Sequence, residues 1–186
     1  MKIALYLGSF NPFHNGHLEV IETALDDFGM DKVIIVPTMQ NPWKNEKVLD
    51  LNKRMEIIFR SCLTKWIHKA SSRCTCGNSP LMDWVRLSGI EKELIPPYYS
   101  YATLHALKNK YCNDEIFVLC GEDTIKDIPN WMHGEQIIKD YNFLIVDRFS
   151  WDISSSQIRE YVKLDKDISK FVSPNVISLI KEYYKQ

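Results

Sequence analysis

The chain has 186 residues, 45% of them apolar and 25% charged, with a formal net charge of -1. That length supports one domain, spanning 1–186, with a good core, and the near-neutral charge excludes a general field that would recruit nucleic acid. No apolar run is long enough to cross a bilayer and the first residues lack a signal-peptide pattern, so the expectation is a cytoplasmic protein acting on a small molecule, with no membrane or nucleic-acid partner and a homo-oligomer left open.

Lys2-Ile3-Ala4-Leu5-Tyr6-Leu7 reads as a buried strand. It runs into Gly8-Ser9-Phe10-Asn11-Pro12-Phe13-His14-Asn15-Gly16-His17, followed by Leu18, Ile21, Ala24, Leu25 and Phe28 at helical spacing. A strand-to-helix turn is where an α/β protein presents backbone N–H groups and a positive helix end to phosphate. Two histidines one helical turn apart can add hydrogen bonds to phosphate oxygens. Gly16 between them lets the backbone approach without a Cβ in the way.

Val33 to Val36 is a second strand, ended by Pro37 and followed by a polar loop with Asn41-Pro42-Trp43-Lys44. Asp50 is placed to cap a helix whose apolar face is Leu51, Met55, Ile58, Phe59, Cys62, Leu63 and Trp66. Ala70 to Pro80 reads as a mobile loop insertion. A strand is expected within Met82 to Leu87, then a break at Pro96-Pro97, then a helix opening at Ser100 or Tyr101 with Leu104, Leu107 and Tyr111 on one side. Glu115 to Cys120 and Phe143 to Val146 are further strands, with short helical pieces over Thr124 to Lys139 between them. Ser154 and Gln157 fit a capping box opening a helix that carries Arg159, and Ser173-Pro174 reads as the start of a terminal helix with Val176, Ile177, Ile180 and Tyr184 buried.

Strand alternating with helix throughout predicts an α/β fold, a doubly wound, Rossmann-like parallel sheet with helices on both faces. Ligands bind at the carboxyl ends of such strands, where His14, Asp123, Arg148 and Ser154 all fall. Three consecutive serines, Ser154 to Ser156, with Arg159 one turn on, exceed what a cap needs and make a second anion site. Two such sites at one sheet edge suit a triphosphate held at both ends. Lys44 is a phosphate ligand or a solvated lysine. Asp123 accepts from a ribose hydroxyl or caps a helix. Trp131 and Tyr99 are core aromatics or stacking plates, and Arg148 is a cation that can stack on a base. Of the five cysteines, Cys74 and Cys76 suggest zinc with His68, but no second pair follows at ligand spacing and the loop insertion is preferred.

These segments resemble the bacterial-type nicotinate mononucleotide adenylyltransferases of the HxGH nucleotidyltransferase superfamily. The resemblance covers Gly8 to His17, Asn41 to Lys44, Lys53-Arg54-Met55, Tyr99 to Leu104, Gly121-Glu122-Asp123 with Trp131, Ile153 to Arg159, and the tail from Phe171 to Tyr184. It implies adenylyl transfer from ATP to nicotinate mononucleotide, giving deamido-NAD and pyrophosphate with magnesium held mainly by substrate phosphates. Nicotinamide mononucleotide would be a secondary substrate. By this resemblance His14, His17, Lys44 and Arg159 would be catalytic. Gly8, Ser9, Phe10, Gly16, Gly121, Asp123, Arg148, Ser154, Ser155 and Ser156 would bind ATP. Asn11, Tyr99, Ser100, Thr103 and Trp131 would bind the mononucleotide, Trp131 stacking on its ring and the Tyr99 and Ser100 amides receiving its carboxylate. The chain departs from the family at Leu7, where glycine is common, at Asn11, where aspartate is usual, and in reading Asn-Pro-Trp-Lys for Pro-Pro-His-Lys. Other readings are a related phosphopantetheine-type adenylyltransferase and a non-catalytic nucleotide-binding module, which differ in pyrophosphate release. A plain scaffold whose motifs are all caps leaves the two coincident anion sites unexplained.

Overall fold

Five strands form one parallel sheet: β1 (Lys2–Gly8), β2 (Lys32–Pro37), β3 (Val85–Leu87), β4 (Glu115–Gly121) and β5 (Asn142–Val146), in the order β3-β2-β1-β4-β5. The structure is a computed structural model. It describes residues 1–39, 48–73, 84–147 and 153–185, with the backbone alone for 66–73. Strand β1 sits at the centre, with Leu5 opposite both Ile34 of β2 and Val118 of β4. Ile3, Ala4 and Leu5 are all 0% exposed, so neither face of this strand meets water. Burial on both faces is why it reads as a continuous apolar run rather than an alternation.

Helices α1 (Asn15–Asp26), α2 (Leu51–Arg73), α6 (Ser155–Lys163) and α7 (Ile177–Tyr184) pack on Ala4, Tyr6, Val33 and Ile35. Helix α3 (Ser100–Lys110) and the short helices α4 (Glu122–Asp127) and α5 (Gly134–Asp140) belong to the opposite face, where Leu104, Leu107, Ile128 and Ile137 meet Ile3, Leu5, Ile34 and Val36. The chain moves outward from β1 to β2 to β3, then returns to the other side of β1 as β4. The order of the strands therefore reverses between β1 and β4, which opens a crevice at their carboxyl ends. This is the Rossmann-like α/β fold the alternation predicts.

Several local expectations change. Phe28 lies beyond α1 and is exposed, because Gly29 at φ 62° turns the chain and brings Met30 into the core instead. Asp50 does cap α2, its Oδ1 accepting from the Asn52 and Lys53 amides at 2.9 and 3.3 Å. The buried stripe of that helix, however, is Leu51, Arg54, Ile57, Ile58, Ser61 and Cys62, and Phe59 faces solvent. Trp66 falls where only backbone is described. Ala70 to Arg73 are helical, not loop, while Cys74 to Pro80, with the cysteine pair, lies outside the described residues. The expected strand near Leu87 is β3, and Ser173-Pro174 open a 3₁₀ turn (Pro174–Val176) that leads into α7. Among the described residues no helix is long and apolar enough to cross a membrane.

Gly134 shows how tightly the α3 face closes. A Cβ built there would lie 1.9 Å from the Ile128 carbonyl oxygen, backbone that cannot move aside cheaply. Gly134→Ala is expected to cost at least about 1 kcal/mol by overpacking, lowering Tm by roughly 3 °C or more in a thermal melt.

Candidate active site

A cleft of about 500 Å³ opens at the carboxyl ends of β1, β4 and β5. Gly8 to Asn11, His14, Gly16 and His17 enter it from the β1–α1 turn. Tyr98, Tyr99 and Ser100 come from the start of α3, Gly121 and Asp123 from the β4–α4 turn, and Trp131 from the loop before α5. Ser154, Ser155, Ser156 and Arg159 come from the start of α6. Lys44 and Arg148 lie outside the described residues. Sequence reasoning passed over Thr38, Thr124, Asp127, Met132 and Asp147, which also line the cleft. Thr38 and Asp147 follow strand ends and Thr124 and Met132 flank residues already chosen, whereas Asp127, the last residue of α4, carried no such signal.

The β1–α1 turn is built around aromatic packing. Phe10 adopts φ 45°, a conformation rare for a bulky residue. Its ring is buried edge-on against Tyr6 (5.2 Å), Phe13 (5.6 Å) and His17 (5.0 Å). A Cβ on Gly8 would meet that ring at 2.9 Å, so the glycine is required by Phe10 as well as by any ligand. His14 stands at the N-cap of α1 and His17 at its third position. His17 Nδ1 accepts the His14 amide N–H at 3.1 Å. A neutral imidazole that accepts at Nδ1 carries its proton on Nε2, so His17 meets a ligand as a donor. Phe13 stacks on the His17 ring at 5.1 Å and the two imidazoles lie 3.7 Å apart.

Helix α6 begins with the predicted capping box, Ser154 Oγ accepting from the Gln157 amide at 3.2 Å and Gln157 Oε1 accepting from the Ser154 amide at 2.8 Å. Ser155 and Arg159 reach the first motif. Ser155 Oγ donates to the Pro12 carbonyl at 2.8 Å, and Arg159 donates to the Asn11 carbonyl at 2.6 Å and to Ser156 Oγ at 3.1 Å. The two anion sites expected from sequence thus touch, and two helix N-termini share one cleft.

The residues assigned to the mononucleotide are placed unevenly. Trp131 is half-buried, lining the cleft while packing on the apolar cluster beneath α3. The Tyr99 amide donates to the Pro97 carbonyl at 3.0 Å, which leaves Ser100 at the first position of α3. Asn11 lines the cleft, and its amide oxygen accepts from the Leu49 N–H (3.2 Å) and the Tyr184 hydroxyl (2.7 Å). Burial raises the Tyr184 phenol and keeps it a donor. Thr103 is fully buried behind the cleft wall, donating to Glu91 at 2.8 Å.

Glu91 also accepts the Met39 amide and is itself buried. Burial raises its carboxyl above the ordinary 4.5, opposed by its hydrogen bonds from Met39 and Thr103 and by Arg54. The folded chain therefore binds this proton more tightly than the unfolded chain does, so stability from Glu91 is greatest at low pH and falls as pH rises through the raised value. Glu91→Gln removes that slope. Urea unfolding midpoints are expected to shift against the wild type, relative to the variant, as pH rises from 4.5 to neutrality.

An α/β sheet with two helix N-termini converging on a crevice at its switch point is the arrangement of the nucleotide-binding class of doubly wound folds. Residues 5–161 match the cytidylyltransferase-like family model. A Cytophaga hutchinsonii protein described as a probable nicotinate-nucleotide adenylyltransferase is 30% identical, over 99% of this chain and 98% of its own. A solved Vibrio parahaemolyticus structure, assigned as a nicotinate-nucleotide adenylyltransferase, matches with a TM-score of 0.77 at 22% identity, over 100% of this chain and 96% of that one. The Plasmodium falciparum nicotinic acid mononucleotide adenylyltransferase complexed with NaAD matches at 0.70 and 18% identity, over 98% and 95%. These structures establish the shared fold. The chain belongs to the cytidylyltransferase-like family, in the branch that holds the nicotinate-nucleotide adenylyltransferases.

Proposed function

We propose that this chain joins ATP to nicotinate mononucleotide, releasing pyrophosphate and forming nicotinate adenine dinucleotide for NAD biosynthesis. The observation that carries this reading is the hydrogen-bonded union of the β1–α1 turn with the start of α6, at a cleft that Trp131 also lines. A triphosphate fits the paired helix N-termini, and a flat ring fits the tryptophan face. A carboxylate on that ring suits the positive end of α3 better than a carboxamide does, so nicotinamide mononucleotide is a secondary substrate.

A phosphate oxygen of the mononucleotide attacks the α-phosphorus of ATP in line. One P–O bond forms, the bond from the α-phosphorus to the bridging oxygen breaks, and pyrophosphate leaves with the electron pair. The attacking phosphate is already ionised at neutral pH, so no general base or covalent intermediate is needed. The chain supplies position and charge stabilisation. His17 donates through Nε2 to a phosphate oxygen beside His14, and Lys44 neutralises charge. Arg159, Ser154, Ser155 and Ser156 hold the leaving pyrophosphate. Gly121 and Asp123 hold the ribose and Arg148 lies along the adenine.

Magnesium seeks oxygen ligands in an octahedron and keeps several waters. The described side chains of the cleft offer four carboxylates, Glu19, Asp123, Asp127 and Asp147. No group of three His, Cys, Asp or Glu suited to a metal occurs among the described residues. That donor set fits a magnesium ion carried in on phosphate oxygens and water, where it would neutralise charge on the phosphates.

The test is pyrophosphate release from ATP with each mononucleotide as acceptor. The nicotinate form should give the higher kcat/KM, and binding of both substrates without release would overturn the reading. His17→Ala should lower kcat about a hundred- to thousandfold, as loss of one such donor does, with the circular dichroism of the fold unchanged.

A further inference from the structure

We propose that Arg54 and Glu91 are positioning residues that set the spacing between the triphosphate end and the mononucleotide end of the cleft, joined through the backbone N–H and C=O of Met39. The proposal rests on the adenylyl-transfer reading above. Neither side chain lines the cleft, and each is 1% exposed. Charged residues are almost never buried this completely unless paired.

Their partners explain the burial. The Arg54 guanidinium donates from Nη1 to the Ser9 carbonyl at 2.6 Å, from Nε to the Leu49 carbonyl at 2.7 Å and from Nη2 to the Met39 carbonyl at 3.3 Å. Met39 passes the connection on, since its own N–H donates to Glu91 Oε2. Glu91 Oε1 accepts from Thr103, whose amide caps back to the Tyr99 carbonyl at the start of α3. An unbroken line of hydrogen bonds therefore runs from the β1–α1 turn, across the end of β2, to the helix N-terminus assigned to the mononucleotide.

Apolar contacts in the core are not directional. A planar guanidinium and a carboxylate are, and they fix distance as well as proximity. Well-packed apolar side chains fill such space at no loss of stability, so stability alone does not account for the pair. In-line transfer does need a fixed spacing, because its reacting atoms must sit about 3–3.5 Å apart and a 1 Å error costs roughly a hundredfold. Ser9 and Tyr99 belong to elements on opposite faces of the sheet, and this line bridges them.

The experiment uses the full chain with Thr103→Val, Thr103→Ser and Arg54→Lys. Thr103→Val keeps the shape and removes the donor to Glu91. It should raise KM for nicotinate mononucleotide and lower kcat by roughly ten- to a hundredfold with a smaller rise in KM for ATP, and Thr103→Ser should restore wild-type values. Arg54→Lys should raise KM for ATP. Hydrogen exchange followed by mass spectrometry should show faster exchange of the Ser9–Phe13 amides in Thr103→Val, although Thr103 lies on the other face. Variants that only melt earlier, with kcat and both KM values unchanged below the transition, would overturn the proposal. If the wild type releases no pyrophosphate, the adenylyl-transfer reading fails on its own. The exchange measurement then still decides, since unaltered exchange at Ser9–Phe13 rules the bridging line out.

Discussion

The carbonyl groups of Ser9, Asn11 and Pro12 are the point on which the cleft turns. Each accepts a hydrogen bond from a side chain remote in sequence: Arg54 from α2, and Arg159 and Ser155 from α6. A carbonyl oxygen aimed into a phosphate site repels its ligand. Engaging these oxygens with two guanidinium groups and a hydroxyl removes that repulsion and fixes the plane of each peptide. The donors sit 45, 148 and 143 residues away, so the turn acquires its working shape only when the whole sheet has assembled.

The sheet makes those meetings geometrically cheap. Helices α1, α2, α6 and α7 all pack on one face, so the two helix N-termini and Arg54 approach the end of β1 from the same side. Helix α3 packs on the other face and brings Tyr99 and Ser100 to the crevice from across it. A side carrying two helix N-termini and a side carrying Tyr99, Ser100 and Trp131 then follow from which face each crossover takes. Burying β1 on both faces keeps both layers of helices packed against the same strand.

Features written within a few residues were legible in the sequence. The central strands announce themselves as apolar runs, the Ser154–Gln157 box and the Asp50 cap are local chemistry, and the histidine pair follows a strand by inspection. What could not be read depends on distance. A period count scores apolar residues, so it drew the buried face of α2 through Phe59 and missed that Arg54 occupies its centre. Nothing near Asn11 signals Tyr184, 173 residues on, as the donor to its amide oxygen. Thr103 read as a ligand contact because it shares a helix with Tyr99 and Ser100, yet one further turn places it behind the wall. The Tyr99 amide is taken by the Pro97 carbonyl, a contact across a two-residue turn that residue identity alone does not signal.

Two kinds of force divide the work around the histidines. The His17 ring is set by packing, stacked on Phe13 and met edge-on by Phe10, while its tautomer is set by one backbone N–H. In the proposed reaction the nucleophile arrives ionised, so the imidazole is not asked to take a proton and its value lies in presenting one donor at a fixed place. That role needs orientation more than a tuned acidity. Aromatic neighbours that hold the ring and an acceptor nitrogen occupied by the chain's own amide meet that need. The strained Phe10 backbone is the structural cost of putting those aromatic neighbours there.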